Sequence, residues 1–116
     1  MVLGIAGRKT GKIHYTPVTY ARIGQNIYCY QGKETKGQWY LNLLANPEVE
    51  VLLPGGRFFG HGEEVHDIAG KLQAMRLILQ GSGLNRSMYG FDPEGAKDEV
   101  VQEKTGDMPV VRIWLD

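Results

Sequence analysis

The sequence predicts an α+β fold, a small, mainly antiparallel barrel of about six strands with a few covering helices. Three observations predict it. Short runs of β-branched and aromatic residues are separated by Gly, Pro and Asn, which is strand-and-turn punctuation. Two of the turns, Gly24-Gln25-Asn26 and Pro54-Gly55-Gly56, join runs that read as hairpins. Helical spacing and capping signals are confined to a few intervening segments, which suits helices laid over a barrel.

Val2 to Ala6 reads as the first strand. Gly7-Arg8-Lys9-Thr10-Gly11-Lys12 is a basic turn, and Ile13 to Ile23 is β-rich before the chain reverses into Ile27-Tyr28-Cys29-Tyr30. Gly32 to Gly37 is a polar loop carrying Lys33 and Lys36. Gln38 to Ala45 predicts a short helix stopped by Asn46-Pro47, because the residue before proline resists helical geometry. Val49 to Leu53 and Phe58 to Val65 form the second hairpin. Asp67 is an N-cap for a helix ending at Gly81, with Ile68, Leu72, Met75 and Leu79 on one apolar face. A loop carrying Tyr89 and Phe91 leads to Asp92-Pro93-Glu94, the start of another helix reaching about Lys104. Pro109 to Leu115 is the last strand.

The 116 residues fit one domain, 1–116, with 42% apolar and 22% charged residues, the balance of a soluble globular protein. No apolar run approaches the ~20 residues of a membrane span. No charged-then-apolar leader opens the chain, so the expected location is cytoplasmic. Cys29 stands alone, which excludes a disulfide framework or a cysteine metal cluster and makes it a small core residue.

Net charge is zero but unevenly spread. Residues 1–36 hold six cations (Arg8, Lys9, Lys12, Arg22, Lys33, Lys36) against Glu34, a net +5, and the remainder holds seven against twelve, a net −5. Such asymmetry suits a localised anion site. In the basic turn three cations, the Thr10 hydroxyl and the N–H groups at Gly7 and Gly11 can hold phosphate or carboxylate oxygens. It is not a nucleotide P-loop, which requires glycine, lysine, then a hydroxyl and a helix. Here Ile13 and a strand follow Lys12. An ordinary solvated hairpin turn uses the same residue types.

His61, Glu63, Glu64 and His66 suggest a metal only on paper: in a strand His61 and Glu63 face one side and His66 the other, whereas ligands must converge. The expectation is no metal. Tyr15, Tyr20, Tyr28 and Tyr30 beside cations are also what a single-stranded nucleic-acid binder offers. A pI near 6.8 argues against that class, and strand tyrosines serve cross-strand packing.

The segment Gln38-Trp39-Tyr40-Leu41-Asn42-Leu43-Leu44-Ala45-Asn46-Pro47, with Gly-Arg-Lys-Thr-Gly-Lys, Thr16-Pro17-Val18 and Val49-Glu50-Val51, resembles the deazaflavin-dependent nitroreductase family of split β-barrel oxidoreductases. The similarity runs from Gly7 to about Asp67 and returns at Gln102 to Thr105 and Pro109 to Val111. The resemblance implies a split β-barrel that binds an 8-hydroxy-5-deazaflavin coenzyme of the F420 type, with an anionic tail and a hydride-carrying ring, and passes hydride to a small organic acceptor. Arg8, Lys9, Thr10, Gly11, Lys12 and His14 would hold the tail or phosphate, and Thr16, Pro17 and Val18 would run under the ring. Lys33 would be a further anion contact, and Gln38, Trp39 and Asn42 would close the site. No catalytic acid is assigned; Tyr40 and Tyr89 are candidate proton donors.

Flavin mononucleotide is the alternative cofactor, since a basic turn serves a ribityl phosphate equally well. A non-catalytic module for an anionic ligand or nucleic acid is the alternative of a different class. Many members place a helix before the first strand, and its lack here leaves apolar barrel surface that pairing could cover, so a homodimer is expected. The chain departs from the family pattern at Val101, where nitro-active members carry an aromatic, at Gly32, where serine is common, and at His14, where arginine is frequent. The resemblance therefore carries the coenzyme to this chain and not nitroreduction.

Overall fold

The computed structural model describes residues 1–31, 38–81, 95–106 and 108–116. Seven strands form one antiparallel sheet: β1 (Val2–Ala6), β2 (Ile13–Pro17), β3 (Tyr20–Ile23), β4 (Asn26–Tyr30), β5 (Glu48–Leu53), β6 (Gly56–Glu64) and β7 (Val110–Leu115). Their order is β2-β1-β5-β6-β7-β4-β3, and the sheet curls into a half-barrel. The helices are α1 (Gln38–Ala45), α2 (Ile68–Gly81) and α3 (Asp98–Thr105).

The seventh strand arises because Ile13 to Ile23 is two strands. Pro17 has no N–H to donate, so the β1–β2 ladder ends at the pair Val2 and Pro17. The Val18 N–H then reaches back to the Met1 carbonyl at 3.0 Å. Beyond it β3 pairs with β4, and β2 and β3 lie at opposite edges of the sheet. The first predicted hairpin is therefore β3–β4 alone, and the second is β5–β6.

Alternation along the strands separates two faces. Leu3, Ile5, Ile27, Cys29, Val49, Val51, Val111, Ile113 and Leu115 point into the concave face and form the main core with Leu43 of α1. Cys29 is fully buried there, and desolvation pushes its thiol up to about 12, which leaves it inert as a nucleophile. The convex face of β3, β4 and β7 is covered by α2, which also packs against α3. That second core contains Ala74, Met75, Leu79, Val101 and Val110.

The Asp67 cap is as the sequence predicts, with Oδ2 accepting the Gly70 N–H at 2.7 Å. The buried stripe of α2 is rotated from the predicted one: Met75 and Leu79 are inside with Ala74 and Ile78, but Ile68 is 63% exposed. Periodicity marks an apolar face, while the neighbour's shape decides how it is turned. For α3, Asp92, Pro93 and Glu94 lie outside the described residues. The helix itself begins at Asp98, because Lys97 is extended (φ −66°, ψ 153°), and Asp98 and Glu99 supply the acidic first turn.

α1 has the predicted limits and packs against β1 and β6 from the concave side. Gly62 of β6 permits this approach: a Cβ there would lie 2.8 Å from Leu43 Cδ1. The Gly62 N–H also donates to the Pro47 carbonyl at 2.8 Å, tying the end of α1 to the sheet.

Candidate functional site

The basic turn connects β1 to edge strand β2 and lies beside α1. The Gly7 and Gly11 N–H groups, expected to face an anion, are instead spent within the turn: the Gly7 N–H donates to the Lys12 carbonyl at 2.7 Å and the Gly11 N–H to the Gly7 carbonyl at 2.9 Å. Gly11 has φ 76°, and the Thr10 hydroxyl oxygen accepts the Lys12 N–H at 3.3 Å. Arg8, Lys9, Thr10 and Lys12 are all exposed. Among the described residues none of the three cations is paired with a carboxylate, so the turn keeps its positive potential.

Arg8 is held nonetheless. Asn42 Oδ1 accepts its backbone N–H at 3.1 Å and its Nη1–H at 2.7 Å, and Gln38 Oε1 accepts Nη2–H at 3.0 Å. Residues 38 and 42 lie one helical turn apart and so share a face of α1. Asn46, the residue that follows α1, donates through Nδ2 to the Ala6 carbonyl at 3.1 Å.

Two adjoining cavities flank this contact. One of about 210 Å³ is lined by Gly7, Arg8, Lys9, Thr10, His14, Gln38 and Asn42. Another of about 450 Å³ is lined by Ile5, His14, Tyr15, Thr16, Gln38, Trp39 and Asn42. His14, Gln38 and Asn42 belong to both, so a small cationic compartment continues into a larger one with an indole wall. Register explains the strand contribution: His14 stands opposite Ile5 and Thr16 opposite Leu3, on the concave face. Trp39 is half-buried against the main core and meets Tyr40 edge to face at 6.4 Å between centroids, so it both anchors α1 and walls the cavity.

The structure thus brings Arg8, Lys9, Thr10, His14, Thr16, Gln38, Trp39 and Asn42 together. Gly11 and Lys12 sit at the tip of the turn, Pro17 is exposed and Val18 packs on the main core, and none of these four lines either cavity. Lys33 and Tyr89 lie outside the described residues. Tyr40 packs on the main core and lines neither cavity. Ile5 is a lining residue that the sequence does not single out, and the register of β1 on β2 explains it by placing Ile5 opposite His14; Tyr15, opposite Gly4, borders the cavity while its ring lies on the convex face.

The other tyrosines do not share one platform. Tyr20 packs on the main core, Tyr28 and Tyr30 pack on the second, and the Tyr15 hydroxyl donates to Glu50 Oε2 at 3.2 Å. Val101 is fully buried between α3 and α2, away from both cavities. A further hollow of about 360 Å³ under α2 is lined by Glu63, Glu64 and Asp67 together with His66 and Arg112, and because Arg112 is paired with Glu63 at 2.7 Å the carboxylates there suit an anionic ligand poorly.

Residues 1–78 match the family described as F420H(2)-dependent quinone reductase. Among solved structures, an F420-H2 dependent reductase (FDR-A) superposes with a TM-score of 0.68 at 19% identity, over 97% of this chain and 90% of that one. A conserved hypothetical protein from Mycobacterium tuberculosis gives 0.67 at 19% identity, over 98% and 75% of the two chains. A chain described as a domain-swapped dimer gives 0.62 at 18% identity, over 97% and 77%. At these identities the likeness to solved structures is one of fold, the split β-barrel.

Proposed function

The chain belongs to the F420H(2)-dependent quinone reductase family, and from that premise we propose how its cleft serves the reaction. The protein is a deazaflavin-dependent oxidoreductase, and its coenzyme is of the F420 type. Flavin mononucleotide is not needed to account for it. We propose that the smaller compartment takes the anionic tail, the larger takes the ring, and the hydride acceptor is a small quinone-like molecule.

The observation that carries this reading is the continuity of the two cavities through His14, Gln38 and Asn42. The donor set fits the coenzyme: guanidinium and ammonium groups suit phosphate oxygens, and a flat indole suits a tricyclic ring. When bound, the reduced deazaflavin supplies the hydride, and a proton completes the reduced acceptor. Arg8, Lys9 and the Thr10 hydroxyl bind the tail. Trp39 and Ile5 exclude water from the larger compartment, and Thr16 and His14 offer polar contacts along its β2 wall.

Fluorescence titration of purified protein with the deazaflavin coenzyme, with flavin mononucleotide in parallel, tests the assignment. Saturable binding of the deazaflavin is expected, and reduced coenzyme held on the protein should be reoxidised on mixing with a water-soluble quinone. Binding of flavin mononucleotide alone would overturn it.

We further read residues 1–116 as one coenzyme-binding domain, and the free Cys29 suits a reducing, cytoplasmic compartment. No helix among the described residues is long and apolar enough to cross a membrane. A homodimer is supported by Ile13, Tyr15 and Phe59, each 52–53% exposed on the convex face that α2 leaves open. Apolar surface of this kind favours association. Sedimentation at micromolar concentration should show a dimer; a monomer there would count against it.

A further inference from the structure

Polar side chains at positions 38 and 42 of α1 and at position 46, just past its end, form a ladder, and every rung grips the segment from Ala6 to Arg8. Asn46 holds the Ala6 carbonyl, Asn42 holds the backbone N–H and Nη1 of Arg8, and Gln38 holds Nη2. The acceptors on Arg8 are neutral amides. A carboxylate in either place would fix the guanidinium equally well but cancel its charge, whereas an amide fixes it and leaves the charge available. Of the five guanidinium N–H donors two are committed to the ladder, and among the described residues Nε–H and one hydrogen on each Nη are left for a ligand.

We propose that Asn42 and Gln38 are positioning residues, which preset Arg8 as a rigid, fully charged fork for the coenzyme's phosphate or carboxylate oxygens. An arginine side chain is long and rich in rotamers, and freezing it before the ligand arrives removes that ordering cost from binding. Asn42 is 8% exposed, so its orientation is set by packing, and it transmits that rigidity to the exposed Arg8. Direct contact with the coenzyme is then the role of Arg8, and the two amides act through it. This inference rests on the reading of the basic turn as the anion site.

Double-mutant cycles on coenzyme affinity, read by fluorescence titration at several salt concentrations, test it. Arg8→Ala should weaken binding about tenfold or more. Asn42→Ala and Gln38→Leu should each weaken it severalfold in the native background and by less than about twofold once Arg8 is alanine, because their effect passes through the arginine. Asn42→Asp keeps the shape and the acceptor but pairs the charge, so it should lose as much affinity as Arg8→Ala and share its shallower salt dependence. Gln38 is exposed, so Gln38→Leu folds and decides the matter even if Asn42→Ala does not. Amide losses that persist in full beside Arg8→Ala would show that the amides meet the coenzyme themselves and would overturn the positioning role. An unchanged affinity in Arg8→Ala itself would overturn the anion site and this inference with it.

Discussion

Gly60→Ala is expected to be the most damaging small substitution in this chain, lowering stability by about 3 kcal/mol or more. Gly60 lies in β6, between Val49 of β5 and Leu115 of β7, in the middle of the sheet. A Cβ there would collide with the Trp114 carbonyl oxygen and approach Trp114 C at 3.0 Å. Those atoms are backbone, so relief requires opening the β6–β7 ladder, and no rotamer change substitutes for it. Against a typical total of about 5–15 kcal/mol, such a loss should lower the melting temperature by about 10 °C or more. Gly55→Ala is the control: a Cβ there meets nothing within 4 Å, and Gly55 is not among the glycines with positive φ. Thermal or urea denaturation decides, and a Gly60→Ala protein that melts with the parent would contradict the packing described for this ladder.

The combined change Arg8→Ala and Lys9→Ala should weaken coenzyme binding by about 2 kcal/mol, about thirtyfold, while the fold persists. A charge-assisted hydrogen bond is worth about 1.5–3 kcal/mol, and exposure of both side chains places the pair at the low end of what two such contacts could give. Stability should fall by only about 1 kcal/mol. In the alanine variant the backbone N–H of residue 8 can still satisfy Asn42 Oδ1, which accepts it at 3.1 Å, so the buried amide is not orphaned. Titration gives the affinity and circular dichroism the fold. Unchanged affinity in a folded variant would remove the basic turn from the site.

Much of the local structure is legible in the sequence because each piece has a local cause. Asn46-Pro47 stops α1 where expected, Asp67 caps α2, and the alternation of Val111, Ile113 and Leu115 against Val110, Arg112 and Trp114 separates the faces of β7. The basic turn stands out because three cations sit in six residues. Its resemblance to a deazaflavin-dependent family, taken with the Gln38 to Pro47 motif, indicated both the coenzyme and the split barrel, and the family match supports both.

Other features have no local signal. Pro17 marks where a ladder within Ile13 to Ile23 can end, but nothing local sends the two halves to opposite edges of the sheet, since both have the same β-forming composition. The exposure of Ile68 follows from how α2 meets β3, β4 and β7, and its own periodicity is silent on that. Val101 occupies a motif position in the sequence but a core position in the fold.

Residue order alone is enough to read most of the strands and helices, where positive charge gathers, and which family of chemistry the chain joins, because propensity, capping and motif are carried by neighbouring residues. It takes the folded chain to show that Asn42 grips Arg8 across 34 positions and that Ile5 lines the cleft beside His14. Strand pairing and helix docking choose partners by shape and hydrogen bonding between distant segments, and that choice leaves no mark in either segment taken alone.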